Sequence, residues 1–153
     1  MAKMGFEKDK RFARDFNNRR ETVRIGDKVY NFRSQLEKNV AMDYLVLLKA
    51  CGQIKDWNYE FMKFEFPDDS YLVDFTITEN DGSFYHIEAK GMWDARAKRK
   101  LALLNKYYPQ ARIVLVFGGK HDAAKVARKY RSMCERVCIF RGIRGLEDYQ
   151  GKV

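Results

Sequence analysis

The sequence has few cysteines and no long apolar run, and each scarcity argues against a class of protein. Its 153 residues include three cysteines and two prolines. No apolar run approaches the roughly 20 residues that a membrane span needs, so we expect no membrane partner. The first residues, MAKMGFEKDKRFARDF, lack the apolar segment of a secretory signal. We therefore expect a cytoplasmic protein.

The three cysteines, Cys51, Cys134 and Cys138, form no recognisable framework. An odd number of cysteines without an export signal is not typical of a disulfide-stabilised fold. No second Cys or His pair accompanies Cys134 and Cys138 at the spacing of zinc ligands. We expect reduced thiols, most of them buried.

Positive charge, in contrast, is abundant and unevenly placed. The net charge is +9, and residues 1–33 contain ten Lys or Arg against five acids. Residues 91–112 contain six against one, so these two segments exceed the net charge of the whole chain. Basic patches bind polyanions because they release counterions from phosphate backbones. Nucleic acid is the expected partner, although a merely soluble basic protein would have the same net charge.

The order of predicted elements indicates a single mixed α/β domain. Apolar residues make up 46% of the chain and aromatics 14%, which is typical of a folded globule. A hairpin over 23–32 precedes a helix that Ser34 can cap. The predicted elements that follow are strands at 57–66, 71–78 and 84–90, a helix at 94–108, a strand at 112–117, a helix at 122–135 and a strand at 137–140.

Three charged residues interrupt two segments that otherwise have the pattern of buried strands, YLVDFTIT and FYHIEAK. Asp74 lies in the first segment, and Glu88 and Lys90 lie in the second. Burying a charge costs free energy unless another group pairs with it. Because side chains alternate along a strand, Glu88 and Lys90 share a face with His86, which we expect to be exposed.

The length of the loop between these strands decides whether the two carboxylates meet. A two-residue loop would set Asp74 opposite Ala89. A three-residue loop at 80–82 sets Asp74 opposite Glu88 and keeps the apolar side chains of both strands on one face. Gly82 can supply the left-handed residue that such a loop needs. We therefore predict the three-residue loop.

Two interpretations of the paired carboxylates follow from the residues. In the first, Glu88 and Lys90 form a salt bridge on a solvated sheet face. In the second, a bound cation joins Asp74 and Glu88, because adjacent carboxylates otherwise repel each other. Mg²⁺ prefers oxygen ligands and can polarise a phosphodiester and activate a bound water. An Mg²⁺ ion at such a site would be chemically compatible with phosphodiester hydrolysis.

The segment from VDF to EAK, with thirteen residues between Asp74 and Glu88, resembles the motif of the PD-(D/E)XK nuclease superfamily. Val73 stands where that motif often has proline. The segments NFRSQLEKNV and EAKGMWDARAKRKLALLNKYYPQARIVLVFGG resemble parts of phage endonuclease I, a junction-resolving enzyme. The stretch from RIGDKVYNFRSQLE through AKG is similar to a group of small phage-encoded nucleases. The resemblance covers about residues 22–120.

The resemblance implies a restriction-endonuclease-like domain over 22–141, in which helices flank a central mixed sheet. Its core would be αβββαβ, followed by a C-terminal helix and a short strand. Residues 1–21 would form a basic flexible arm, and residues 142–153 a C-terminal tail.

The resemblance also implies the roles of the site residues. Asp74, Glu88 and the backbone carbonyl of Ala89 would bind Mg²⁺, for which Mn²⁺ would substitute. Glu37 would complete the metal site, although a Glu three residues after Ser34 is also typical of a capping box. Lys90 would orient or activate the attacking water. The implied catalytic set is Asp74, Glu88, Lys90 and Glu37.

A basic cluster follows the motif on the next predicted helix, at Arg96, Lys98, Arg99 and Lys100. These side chains would contact the DNA backbone, or they form only the solvated face of that helix.

The expected function is a phage-encoded, metal-dependent endodeoxyribonuclease acting on branched DNA. Resolving a junction requires two cuts, so a homodimer is the expected assembly. A general DNA nickase on the same fold and a non-catalytic DNA-binding module are the alternatives.

Overall fold

A six-stranded mixed sheet, in the order β10-β9-β8-β7-β6-β3, organises the computed structural model, which describes residues 20–150. The strands are β1 (Glu21–Ile25), β2 (Lys28–Phe32), β3 (Asp56–Tyr59), β4 (Lys63–Glu65), β5 (Ser70–Leu72), β6 (Phe75–Thr78), β7 (Phe84–Lys90), β8 (Ile113–Phe117), β9 (Arg136–Phe140) and β10 (Leu146–Asp148). The pairs β7–β8 and β8–β9 are parallel, and the other pairs in the sheet are antiparallel. The predicted α/β class and mixed central sheet are confirmed.

The helices are α1 (Gln35–Val40), α2 (Val46–Ala50), α3 (Ala95–Tyr107) and α4 (Lys120–Lys129). A π-helical turn, Ala41–Leu45, joins α1 to α2, and 3-10 turns lie at Arg131–Met133 and Gly142–Arg144. No helix within residues 20–150 is long and apolar enough to cross a membrane.

Two apolar cores lie on the two faces of the sheet. On one face, the β1–β2 hairpin and α1 with its π-helical turn cover the sheet, and Phe32, Leu45 and Phe75 are fully buried there. On the other face, α3, α4 and the β4–β5 hairpin cover it around Leu104 and Phe117. Every residue of β8 is buried, as the apolar run IVLVF predicts for a strand covered on both faces.

Side-chain caps fix where α1 and α3 begin. Ser34 Oγ accepts a hydrogen bond from the Glu37 N–H at 3.1 Å, which confirms the predicted cap. Asp94 caps α3 in the same way, through the N–H of Ala97 at 2.8 Å. The third predicted helix is shorter than expected, since α4 spans 120–129 and a 3-10 turn follows it.

Two predicted strands are each broken into two. The segment 57–66 forms β3 and β4, with a left-handed residue between them at Glu60 (φ 49°). The segment 71–78 forms β5 and β6, with a bend at Asp74. Because of this bend, Val73 packs in the core under α3 whereas Phe75 packs in the opposite core. Alternation along an unbroken strand predicts that Val73 and Phe75 share a face, and this prediction was therefore wrong.

The predicted register of the β6–β7 hairpin is confirmed. Phe75 pairs with Ile87, as a three-residue loop requires. Gly82 has a φ of 87°, the left-handed conformation that the loop needs.

The predicted terminal segments lie partly outside the described residues. Of the basic arm at 1–21, residues 1–19 are not described. In the segment assigned to a tail, residues 146–148 form β10, which pairs with β9 at the edge of the sheet.

The three cysteines differ in exposure. Cys51 is exposed, Cys134 is half-buried and Cys138 is buried. The expectation that most of the thiols are buried was therefore wrong. Burial raises the pKa of Cys134 to about 11 and that of Cys138 to about 12. A thiol with such a pKa is almost entirely in its unreactive neutral form near pH 8.

We therefore expect one thiol of the native protein, Cys51, to react rapidly with a thiol-specific reagent at pH 8. Cys134 and Cys138 should react only after unfolding. Counting the fast and slow thiols by absorbance, with Cys51→Ser as the control, tests this expectation. A fast thiol remaining in Cys51→Ser would contradict the burial of the other two.

Candidate active site

The candidate site lies where the ladder between β6 and β7 ends. The last ladder pair is Phe75 with Ile87. Beyond this pair, side-chain carboxylates accept the hydrogen bonds in place of backbone carbonyls. The Asp74 N–H donates to Glu88 Oε2 at 3.1 Å, and the Ala89 N–H donates to Asp74 Oδ2 at 2.8 Å. The two carboxylates therefore join the strands reciprocally, each accepting a hydrogen bond from the opposite backbone.

The backbone carbonyl of Ala89 faces the same place. In an extended strand, the N–H and C=O of one residue project to the same side. Since the Ala89 N–H donates to Asp74, the Ala89 carbonyl also projects toward the end of β6. The carboxylates of Asp74 and Glu88 and the carbonyl of Ala89 therefore all lie at the end of β6.

Lys90 pairs with Glu88, with its Nζ 3.0 Å from Glu88 Oε1. Glu88 is only 3% exposed, so this salt bridge is not on a solvated sheet face. Burial alone would lower the pKa of Lys90, but the carboxylates of Glu88 and Asp74 raise it above its usual value. Lys90 is therefore a fixed positive charge beside both carboxylates.

The electrostatic environment disfavours ionised carboxylates at this site. Burial, followed by the charges of Glu88 and Glu37, raises the pKa of Asp74 well above its usual value. Burial also raises the pKa of Glu88, although Lys90 opposes the shift. Three carboxyl groups thus share one lysine, and a divalent cation would balance their charge.

Glu37 reaches the site from α1. It is buried, and its Oε1 accepts a hydrogen bond from the Tyr59 hydroxyl at 3.1 Å. The cap interaction at Ser34 uses only the Glu37 backbone N–H. The side chain is therefore available to the site, and its charge contributes to the raised pKa of Asp74.

Two tyrosines near these acids were not predicted. The Tyr71 side chain lies beside Glu88, and burial together with the charges of Glu88 and Asp74 raises the pKa of Tyr71 well above its usual value. Tyr59 holds Glu37 through the hydrogen bond from its hydroxyl. The only sequence signal was the aromatic content of these strands, which does not reveal which ring reaches a carboxylate.

The described residues do not contain a preformed metal cage. Within residues 20–150, no three His, Cys, Asp or Glu side chains surround one point as metal ligands would. The oxygen atoms of Asp74, Glu88 and Ala89 nevertheless fit Mg²⁺, which takes few protein ligands and keeps several waters. With three carboxyl groups and one lysine, the site is net negative when its acids are ionised, and such an ion would favour that ionised state.

The predicted DNA-binding residues of α3 separate into two pairs. Arg99 and Lys100 bind Asp69, with nitrogen–oxygen distances of 2.9 and 2.6 Å. Lys100 also contacts the carbonyl of Ser70. Arg96 and Lys98 are exposed and form no salt bridge with any described residue. Within this cluster, only Arg96 and Lys98 keep an uncompensated charge.

His86 is not the exposed residue that we predicted. It is 6% exposed, and its Nδ1 lies 3.0 Å from Thr76 Oγ1 on the neighbouring strand. Burial lowers its pKa to about 4, so the ring is neutral near pH 7. The β4–β5 hairpin covers this part of the sheet, where the ring of Phe64 packs edge-on against that of His86.

No family model matches the chain, and a search of curated proteins finds no match.

Asp74→Asn should stabilise the metal-free protein, because it removes one of the mutually repelling buried charges and keeps an oxygen for the Ala89 N–H. A gain of about 1 kcal/mol would raise Tm by about 2–4 °C. Thermal unfolding in EDTA measures this gain.

The matched control is Asp68→Asn, which neutralises an exposed aspartate of the nearby turn. It should leave Tm unchanged. A clear loss of stability in Asp74→Asn would show that the acid serves the fold rather than opposing it.

Proposed function

We propose that this chain is a metal-dependent endodeoxyribonuclease of the PD-(D/E)XK type, which hydrolyses DNA phosphodiesters. The observation that carries the proposal is the grouping of Asp74, Glu88 and Lys90 at a break in the sheet. Buried acids that repel each other are costly to the fold, and such groups concentrate at functional sites.

The arrangement of elements around the acids supports the same proposal. α1, which carries Glu37, precedes the antiparallel strands β3, β6 and β7, and α3 then leads to the parallel strand β8. This is the αβββαβ order that the sequence resemblance implies. This order supports the proposal.

The residues divide the work of hydrolysis. A Mg²⁺ ion held by Asp74, Glu88 and the Ala89 carbonyl would polarise the phosphodiester and lower the pKa of a bound water. Lys90 places a positive charge where it can orient the attacking water and stabilise the charge that develops on the phosphate. Tyr59 holds the side chain of Glu37 in position, and Tyr71 lies beside Glu88.

Branched DNA is the proposed substrate, and a homodimer the proposed assembly. Both rest on the likeness of the sequence to phage endonuclease I, which cuts two strands of a junction. The net charge of +9 supports a polyanionic substrate without distinguishing its shape.

A non-catalytic DNA-binding module is the second candidate. The observation that favours it is the absence of a preformed metal cage within the described part of the chain. In that case Asp74 and Glu88 would serve only to join β6 and β7.

Cleavage of supercoiled plasmid and of a synthetic four-way junction tests the proposal. The wild-type protein should cut with Mg²⁺ and not with EDTA. Asp74→Asn and Lys90→Ala should each lower the cleavage rate by about 100-fold or more, the usual scale for losing a group that stabilises developing charge.

Lys63→Ala, which removes an exposed lysine of β4, is the control and should cut normally. Preference for the junction over linear DNA would support a resolving enzyme. Binding without cutting on either DNA would favour the binding module.

Metal binding should also be visible without DNA. A ligand at 100 times its Kd stabilises the native state by about 2.7 kcal/mol, so Mg²⁺ or Mn²⁺ should raise Tm. Asp74→Asn should abolish this shift, because it removes a proposed ligand. An equal shift in wild type and Asp74→Asn would place the ion elsewhere.

A further inference from the structure

The helix α4 is a second basic element, which the distribution of charge along the sequence obscured. Residues 120–131 contain five Lys or Arg and one acid, within a region that otherwise averages near neutral. All five basic side chains are exposed: Lys120, Lys125, Arg128, Lys129 and Arg131.

The basic residues of α4 form one ridge on its outer face. Ala123 and Val126 are buried and hold the inner face against the sheet. Lys125 and Arg128 lie three residues apart on the opposite side, and Lys129 lies beside them. With His121 at its start, the ridge runs for about 12 Å, at 1.5 Å of rise per residue.

No acid of the described chain neutralises this ridge. None of its lysines or arginines forms a salt bridge with an acid within residues 20–150. Some basic side chains elsewhere do find partners: Arg99 and Lys100 bind Asp69, and Arg112 binds both Glu79 and Glu135. Within the described residues, the ridge is therefore exposed positive charge without a salt-bridge partner.

The topology of the sheet brings the start of α4 to the candidate active site. β7 ends at Lys90 and leads to α3, and its parallel neighbour β8 ends at Phe117 and leads to α4. Both helices pack on the same face, so both begin at the edge where Lys90 lies. The N-terminal ends of the helix dipoles add positive potential there.

Lys98 extends the ridge onto α3. It lies two turns before Asn105 on the same side of that helix. Asn105 lines a groove together with Ser132 and Met133, which follow α4. Lys98 therefore lies on the flank of α3 that faces α4, whereas Arg99 and Lys100 are held toward the β4–β5 hairpin by Asp69.

We infer that the ridge of α4, together with Lys98, binds the sugar–phosphate backbone of duplex DNA beside the candidate active site. The inference rests on the proposed function and specifies where its substrate lies. A duplex presents one charge per roughly 1.7 Å of its axis, so a 12 Å ridge faces about seven phosphate charges. Such contacts position the duplex and do not read its sequence.

The test compares two triple variants that lose the same charge. Lys125→Gln, Arg128→Gln and Lys129→Gln are combined in the ridge variant. The control combines Lys28→Gln, Lys55→Gln and Arg144→Gln, which are exposed residues outside α3 and α4 without salt bridges. Glutamine has nearly the helix propensity of lysine and arginine, so both variants should keep the wild-type Tm.

Binding to a short labelled DNA duplex is followed by fluorescence anisotropy in EDTA, at several salt concentrations. The ridge variant should bind roughly tenfold or more weakly than wild type. Its plot of log affinity against log salt should be shallower by about three, one for each lost phosphate contact. The control variant should show a much smaller loss of affinity and a much smaller change in this slope.

Equal losses in the two variants would overturn the inference, because net charge alone would then explain binding. So would wild-type binding by the ridge variant, or a ridge that binds anionic vesicles but not DNA. Binding in EDTA is independent of cleavage. If DNA binding depends on the ridge but the protein never cuts DNA, only the nuclease proposal is refuted. If the protein cuts DNA but its DNA binding does not depend on the ridge, only this inference is refuted.

Discussion

The exchange of hydrogen bonds between Asp74 and the end of β7 is the constraint on which the candidate site depends. Sheet strands are normally joined by backbone groups alone, but here two carboxylates replace backbone acceptors. These hydrogen bonds hold both carboxylates in defined positions relative to the sheet, where they are buried side by side. The fold therefore depends on two groups that repel each other when ionised. The positive charge of Lys90, which is paired with Glu88, reduces this repulsion.

The parallel connections of the sheet extend this constraint to the surface. Two successive crossovers, through α3 and α4, start their helices at one edge and pack them on one face. The Arg99–Lys100–Asp69 contacts then bind part of the first helix to the β4–β5 hairpin. Lys98, which forms no salt bridge with a described residue, is left on the flank that faces α4. Core topology and a few surface ion pairs together decide where a polyanion can lie.

Local signals in the sequence were sufficient to predict the register of the β6–β7 hairpin, but not the bend at Asp74. Gly82 and the alternation of β7 predicted that Asp74 and Glu88 would meet, and they do. The alternation around Asp74 is equally compatible with an unbroken strand, so nothing local indicated that Val73 would enter the other core. The contact of Lys100 with Asp69 spans 31 residues, and only the packing of the hairpin on α3 determines it. Long-range contacts of this kind leave no periodic pattern.

The exposed thiol of Cys51 has a practical consequence for experiments on this molecule. It lies in the turn after α2, a helix with no buried residue, on the sheet face opposite α3 and α4. The other two thiols are protected by their packing. The native chain thus carries a single natural attachment point for a fluorophore or a surface tether, remote from both the acids and the basic helices, and it needs no engineered cysteine.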